Sequence, residues 1–301
     1  VAGPPVVAIF GPTAIGKTAV AIALAEILRS HGEDPVAVSV DSMQVYRELP
    51  VLTGAADADE RSALEHRLIG HVSVADAYDV ATHARLAHAE IDQLRAEGRR
   101  PIVVGGTGLY LRAALTELDL MPRPADGLRE RLTVELEQDG LDAMFSRLQR
   151  AAPDLAAEVD PHNARRVIRA LEIVEAGGDP TSRTENRLWT DETRVPTALF
   201  ALVMAREGLY ERVEARIDAM LEHGVEAEVR GAEPLAGRTA RQALGFEELL
   251  GGDEERMRTN TRRYAKRQLT WLNKLAGATV IDVTGREASA VATTIARRLT
   301  D

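Results

Sequence analysis

Gly11-Pro12-Thr13-Ala14-Ile15-Gly16-Lys17-Thr18 satisfies every fixed position of the G-x-x-x-x-G-K-[ST] phosphate loop. Its glycines let backbone N–H groups approach phosphate oxygens, and the helix that such a loop opens adds its positive dipole end. Lys17 brings a point charge, and the Thr18 hydroxyl is of the type that ligates Mg²⁺. The chemistry implied is the holding of a diphosphate or triphosphate. The loop alone does not choose the reaction.

Asp41-Ser42-Met43-Gln44-Val45-Tyr46 follows a second apolar run, so the Asp41 carboxylate is expected at the rim beside the phosphate loop. Three roles suit it: a metal ligand acting through water, a general base for an attacking nucleophile, or a cap for the backbone that follows. Gly105-Gly106-Thr107-Gly108-Leu109-Tyr110 closes a third run. Its glycines permit close backbone approach, and Thr107 can hydrogen-bond a phosphate or a substrate. No carboxylate ends that strand, which counts against NTP hydrolysis. Arg212 and Arg216 are four apart, on one helix face. They could grip phosphates in bidentate fashion or pair with Glu207, Glu211 and Glu214. Arg165, Arg166 and Arg169 pose the same alternative. The seven histidines show no metal-ligand spacing.

The elements that must position these groups can be read from periodicity. Strand-like runs fall at Val6–Phe10, Val36–Val40, Ile102–Val104, Ala198–Met204 and Thr279–Val283. Helical patterns separate them at Lys17–Ser30, Val80–Glu97 and Leu109–Leu115, and again after Arg206. This alternation predicts an α/β fold with a doubly wound parallel sheet, whose ligands sit beyond the carboxyl ends of the strands. The stretch 116–197 reads as helices only: Asp126–Gln138, Leu141–Ala151 and Pro161–Ala176, the last capped by Asp160 before Pro161. It is expected to be an all-helical insertion domain between two parts of the core, 1–115 and 198–301. The polar segment Gly178–Val195 is expected to be a mobile connection.

Composition narrows the class. The chain has 301 residues, 45% of them hydrophobic and 28% charged, and contains no cysteine. Disulfides, thiolate nucleophiles and cysteine-based zinc sites are thereby excluded, in keeping with a reducing, cytoplasmic setting. No signal peptide and no membrane helix are expected. The net charge of −10 argues against nucleic-acid binding taken globally. Locally the balance reverses. Arg256, Arg258, Arg262, Arg263, Lys266, Arg267 and Lys274 fall within nineteen residues that contain no acid. They form either a phosphate-backbone contact or the solvated side of a helix whose Met257, Tyr264, Gln268, Trp271 and Leu275 face the core.

Taken together, these motifs resemble the bacterial tRNA dimethylallyltransferase (tRNA isopentenyltransferase) family, across almost the whole chain. The signature is D-S-M-Q-V-Y from Asp41, G-G-T-G-L-Y from Gly105 and A-K-R-Q-x-T-W from Ala265, with supporting matches at Asp160–Glu172, Arg206–Met220 and Arg241–Phe246. No Cys–His finger follows, as it does in eukaryotic relatives. The resemblance departs at Val51-Leu52-Thr53-Gly54-Ala55-Ala56, where the family usually has I-G-T-A-K-P, and at Glu65–Gly70, where it usually has P-H-H-L-I-D.

The resemblance implies a P-loop NTPase-like fold and transfer of a dimethylallyl group from dimethylallyl diphosphate to the exocyclic amine of the adenosine 3′ of a tRNA anticodon. Gly11–Thr18, Arg212 and Arg216 would bind diphosphate with Mg²⁺ on Thr18, Lys17 would stabilise the leaving group, and Thr107 would contact the reacting groups. Asp41 would take the amine's proton. By the same resemblance, tRNA contacts would come from Asp41, Ser42, Met43, Gln44, Thr107, Arg129, Arg165, Arg166, Arg169, Arg241, Gln242, Gly245, Phe246, Arg263, Lys266 and Arg267. The insertion would grip the anticodon stem-loop, and a monomer is expected. A small-molecule or nucleoside kinase shares the loop, the acid and the arginines. A relative that prenylates free adenine nucleotides would lack need for the helical insertion.

Overall fold

The computed structural model describes residues 3–117, 127–177, 191–272 and 274–300. They form two compact units, one within 1–118 and 188–301 and the other within 119–187. Residues 178–190 of the polar segment Gly178–Val195 lie outside the described residues.

The first unit is built on six parallel strands: β1 (Val6–Phe10), β2 (Pro35–Ser39), β3 (His66–Arg67), β4 (Arg100–Gly105), β5 (Thr197–Val203) and β6 (Thr279–Asp282). They lie in the order β3-β2-β4-β1-β5-β6. Parallel strands need crossovers, and helices supply them: α1 (Lys17–Ser30), α2 (Pro50–Thr53), α3 (Ala58–Ala63), α4 (Val80–Ala96) and α5 (Gly108–Leu115) in the first part of the chain. β1 shows why both faces are covered. Val7 and Ile9 enter one buried cluster with α1 residues such as Leu24, whereas Val6, Ala8 and Phe10 enter another with Ile91 and Leu94 of α4. Side-chain alternation thus buries every β1 residue, each large one contributing roughly 1.5–3 kcal/mol. The doubly wound parallel sheet is as the periodicity predicts. The short β3 has no apolar run to announce it and is held by two residue pairs with β2.

The second unit contains helices only among its described residues: α6 (Leu128–Asp139), α7 (Leu141–Ala151), α8 (Pro153–Glu158) and α9 (Ala164–Glu175). Its core is formed by residues such as Leu132, Met144, Leu148, Val167 and Leu171. Helix α9 starts three residues later than the sequence suggests. Asn163, not Asp160, is its N-cap, accepting from the Arg166 N–H, while Asp160 accepts from His162 in the turn before.

After β5 the first unit continues through α10 (Arg206–Glu222), α11 (Val225–Ala232), α12 (Phe246–Leu250), α13 (Glu254–Leu272) and α14 (Ala288–Thr300). Strands β2, β4, β1 and β5 are neighbours, so the segments leaving their carboxyl ends emerge side by side. Those segments are Asp41–Tyr46, the Gly105 turn, the phosphate loop and the approach to α10.

Candidate active site

The phosphate loop turns on two left-handed residues, Gly16 (φ 96) and Ala14 (φ 64). A non-glycine residue in that region is uncommon, and here it turns the loop toward α1. Ile15 drives into the core at 2% exposure, which anchors the loop from below. Arg212 donates from Nη1 to the Ile15 carbonyl at 3.1 Å, so it secures the loop through its backbone. Lys17 is half-buried, with Nζ donating to the Pro12 carbonyl at 2.9 Å.

Thr13, Lys17, Thr18, Asp41, Gln44 and Arg216 line one cavity of about 240 Å³. Its other walls include Leu52, Ile217, Met220, Leu244 and Met257. Polar and apolar groups therefore share one small space. Burial, and then the Arg216 charge, pull Lys17 down to about 8 against the opposing pull of Asp41. Burial also lowers Arg216, again opposed by Asp41. Lys17, Arg216 and Arg267 against the Asp41 carboxylate leave the cavity lining short of negative charge.

Arg216 is seated by the atypical segment after Asp41. It donates to the Thr53 carbonyl at 3.1 Å, and Gly54 lies in the left-handed region beneath its guanidinium. Glu228 on α11 holds that segment by accepting from the Val51 and Leu52 N–H groups at 2.9 and 2.8 Å. Among the described residues, neither Arg212 nor Arg216 pairs with Glu207, Glu211 or Glu214. Glu214 instead pairs with Arg258 and Arg262 of α13, and Asp218 with Arg258.

Asp41 uses Oδ1 to accept from the Met43 N–H at 2.9 Å and, more weakly, from Gln44 at 3.4 Å. The capping role is thus real, in a turn rather than a helix, and it fixes the carboxylate at the cavity wall. Ser42 and Met43 line the cavity too, and Gln44 Nε2 donates to the Gly54 carbonyl at 3.0 Å. Thr107 sits at the N-cap of α5, and its hydroxyl lies 3.4 Å from the Tyr264 hydroxyl. Tyr264 lines the cavity; burial and then the Asp41 charge push its phenol up to about 12, with Thr107 opposing. It is a neutral hydrogen-bonding group at neutral pH.

The Gly105–Gly108 turn is read differently by the structure than by the sequence. A Cβ at 105 would stand 2.5 Å from the Val40 carbonyl oxygen, at 106 it would stand 2.3 Å from Gln268 Nε2, and at 108 it would stand 2.4 Å from Trp271 Cε3. These glycines admit protein neighbours. The Gln268 side chain, placed by periodicity on the core-facing side of its helix, is buried there and accepts from the Thr13 N–H and donates to the Gly106 carbonyl, both at 2.8 Å.

The remaining expected residues divide by place. Gln242 and Arg267 line the cavity, and Arg267 also lies over the Tyr264 ring at 5.6 Å. Arg263, Lys266 and Arg267 are exposed on α13 with no carboxylate partner among the described residues, unlike Arg258 and Arg262. Gly245 (φ +97) and Phe246, which is fully buried, belong to the packing behind the cavity. Arg241 is engaged with Glu247 and the Phe246 ring. In the helical unit, Arg129 and Arg169 pair with Glu172, which is completely buried, while Arg165 and Arg166 are exposed.

Comparison with known proteins decides the family. The family described as IPP transferase matches residues 44–275. The chain belongs to the IPP transferase family. The tRNA dimethylallyltransferase of Thermobifida fusca is 39% identical, over 89% of this chain and 87% of its own. That of Symbiobacterium thermophilum is also 39% identical, covering 94% and 91%. Among solved structures, the tRNA isopentenylpyrophosphate transferase of Bacillus halodurans superposes with a TM-score of 0.70 at 32% identity, covering 98% and 97%. A eukaryotic dimethylallyltransferase acting on tRNA gives a TM-score of 0.79 at 27% identity, covering 98% of this chain and 77% of that one. This member of the family thus carries the P-loop α/β sheet expected from its motifs. No helix among its described residues is long and apolar enough to cross a membrane.

Proposed function

We propose that this chain transfers a dimethylallyl group from dimethylallyl diphosphate to the exocyclic amine of the adenosine 3′ of a tRNA anticodon, releasing diphosphate. The observation that carries the reading is the mixed lining of one cavity, in which Lys17, Thr18, Arg216 and Asp41 share the walls with Leu52, Met220 and Met257. A donor made of a highly charged head and a five-carbon tail needs that pairing.

In the reaction, the amine lone pair forms a bond to the allylic carbon as the carbon–oxygen bond to diphosphate breaks, and the bonding pair leaves on the diphosphate. Lys17, Arg216 and the loop N–H groups are fixed in place to stabilise that charge as it grows. The adenine amine is weakly nucleophilic because its lone pair is delocalised into the ring. Asp41 compensates by accepting the amine's hydrogen bond and then its proton. Thr107 and Tyr264 orient the acceptor side.

Thr18 supplies a hydroxyl to the cavity, a hard oxygen donor that would hold Mg²⁺ together with diphosphate oxygens and water. Bound there, Mg²⁺ supplies neutralisation of the leaving diphosphate. Arg165, Arg166, Arg263 and Lys266 are exposed cations suited to an RNA backbone. The target base is unstacked to reach the cavity. The protein acts as a monomer in the cytoplasm, where its RNA substrate resides.

The test is incorporation of radiolabelled dimethylallyl diphosphate into unmodified tRNA bearing adenosine 3′ of its anticodon, with Mg²⁺ and with AMP as a competing acceptor. Label in the tRNA alone supports the reading. Label in AMP assigns the protein to nucleotide prenylation, and consumption of ATP with nucleosides in place of any label assigns it to the kinases.

A further inference from the structure

Two loops bring the donor and the acceptor side together, and both are rich in glycine. The phosphate loop leaves β1, and the Gly105–Gly108 turn leaves β4, the neighbouring strand. Ile15 and Arg212 anchor the phosphate loop, and Val40 and Trp271 pack against the turn, but these contacts each hold one loop and do not tie one to the other. The side chain that spans them comes from far along the sequence. Gln268 is 4% exposed; its Oε1 accepts from the Thr13 N–H and its Nε2 donates to the Gly106 carbonyl. Both ends of one amide are therefore used, one on each loop. Gly106 is what allows it, since a Cβ there would collide with Nε2 and would stand 2.8 Å from the Gly11 carbonyl oxygen. The same face of α13 meets the turn on either side, with Tyr264 at Thr107 and Trp271 at Gly108.

We infer that Gln268 is a positioning residue: by joining Thr13 to Gly106 it fixes the separation between the diphosphate loop and the turn that carries Thr107. The inference rests on the transferase reading above. Only a group with a donor and an acceptor at one end of a chain of this length completes the bridge. Methionine keeps the shape and loses both bonds. Asparagine keeps the amide and falls one carbon short. A glutamate carboxylate keeps the bond from Thr13 and sets an oxygen against the Gly106 carbonyl, whereas its protonated form restores both bonds.

The experiment compares Gln268→Met, Gln268→Asn and Gln268→Glu with the wild type in prenyl transfer to tRNA, alongside hydrogen exchange of residues 10–18 and 104–110. Donor binding through the loop is retained in all three. The expected result is a kcat lower by about 10²-fold for the Met and Asn variants, as for a misplacement of about 1 Å, with the donor KM within about threefold of the wild type. Exchange speeds up in both segments together. For Gln268→Glu, kcat relative to the wild type at each pH climbs as pH falls and the introduced carboxyl protonates. Lys17, Asp41, Arg216, Tyr264 and Arg267 line the same cavity, and the wild type measured at each pH is the reference for them. Wild-type kcat in the Met variant, exchange unchanged in both segments, or a kcat loss that merely follows a lowered melting temperature overturns the inference. If the wild type itself transfers no prenyl group, the transferase reading fails, and the paired exchange response still decides the bridge.

Discussion

The Arg216 guanidinium occupies the space that a side chain at position 54 would need: a Cβ on Gly54 would stand 1.8 Å from Nη2. Position 54 also holds φ +56, where a Cβ is itself strained. Gly54→Ala is therefore expected to displace Arg216 and raise the donor KM on the order of tenfold, the worth of one charge-assisted hydrogen bond. Because both changes act on one group, Gly54→Ala combined with Arg216→Ala should be no worse than Arg216→Ala alone. Steady-state kinetics of the three variants at limiting donor give the answer; additive losses would refute the shared seat.

The turn bonds of Asp41 and the proton-accepting role proposed for it can be separated by two substitutions, not by one. Asp41→Ala removes the proton acceptor and the turn bonds to Met43 and Gln44. Asp41→Asn keeps an oxygen for those bonds and loses basicity. A drop of roughly 10²–10⁴ in single-turnover rate for both variants is expected if proton removal dominates. Near-normal rates for Asp41→Asn would reduce the residue to its turn.

The pH dependence of donor capture should follow Lys17. Its pKa falls from 10.5 to about 8 through burial and the Arg216 charge. The ammonium is lost as pH rises through 8, so kcat/KM for the donor should decline there. Stability from this group moves the opposite way. The unfolded chain keeps the proton up to its higher pKa while the folded one sheds it, so the folded state gains between pH 8 and 10.5. Donor-limited pH–rate profiles check the first statement, and Lys17→Met should lack that limb.

Much of this site was legible in the sequence because it depends on local pattern. The phosphate loop needs only its own glycines, Lys17 and a helix behind it; Asp41 needs only the end of a strand. What escaped the sequence depends on partners far along the chain. Gln268 has the spacing of a core residue, and nothing in its neighbourhood reveals that Thr13 and Gly106 are waiting for it. The seat of Arg216 under Thr53 and Gly54 is of the same kind. β3 is too short for any periodicity, and α9 begins after Asn163 because that side chain reaches the Arg166 N–H, a choice that the Asp160-Pro161 pair concealed.

Arginines of the helical unit should separate by burial of their partners. Arg129→Ala strips one cation from the buried Glu172 and is expected to cost about 1–3 kcal/mol of stability, read from denaturant unfolding. Arg165→Ala and Arg166→Ala should leave unfolding unchanged, weaken tRNA binding, and lower the salt dependence of affinity by about one unit of slope each. A stable Arg129→Ala protein with weakened RNA binding would transfer Arg129 to the same class as its exposed neighbours.

The Arg194 N–H donates to the Leu115 carbonyl at 2.7 Å, just before the chain rejoins the sheet at β5. The outgoing and returning segments are thus tied at a neck that belongs wholly to the sheet-bearing unit. Everything between them is, to that unit, a loop whose ends are already closed. Lengthening such a loop costs entropy only logarithmically. The neck is therefore a graft point: the segment between its two sides can be exchanged or rebuilt while the sheet edge stays as it is.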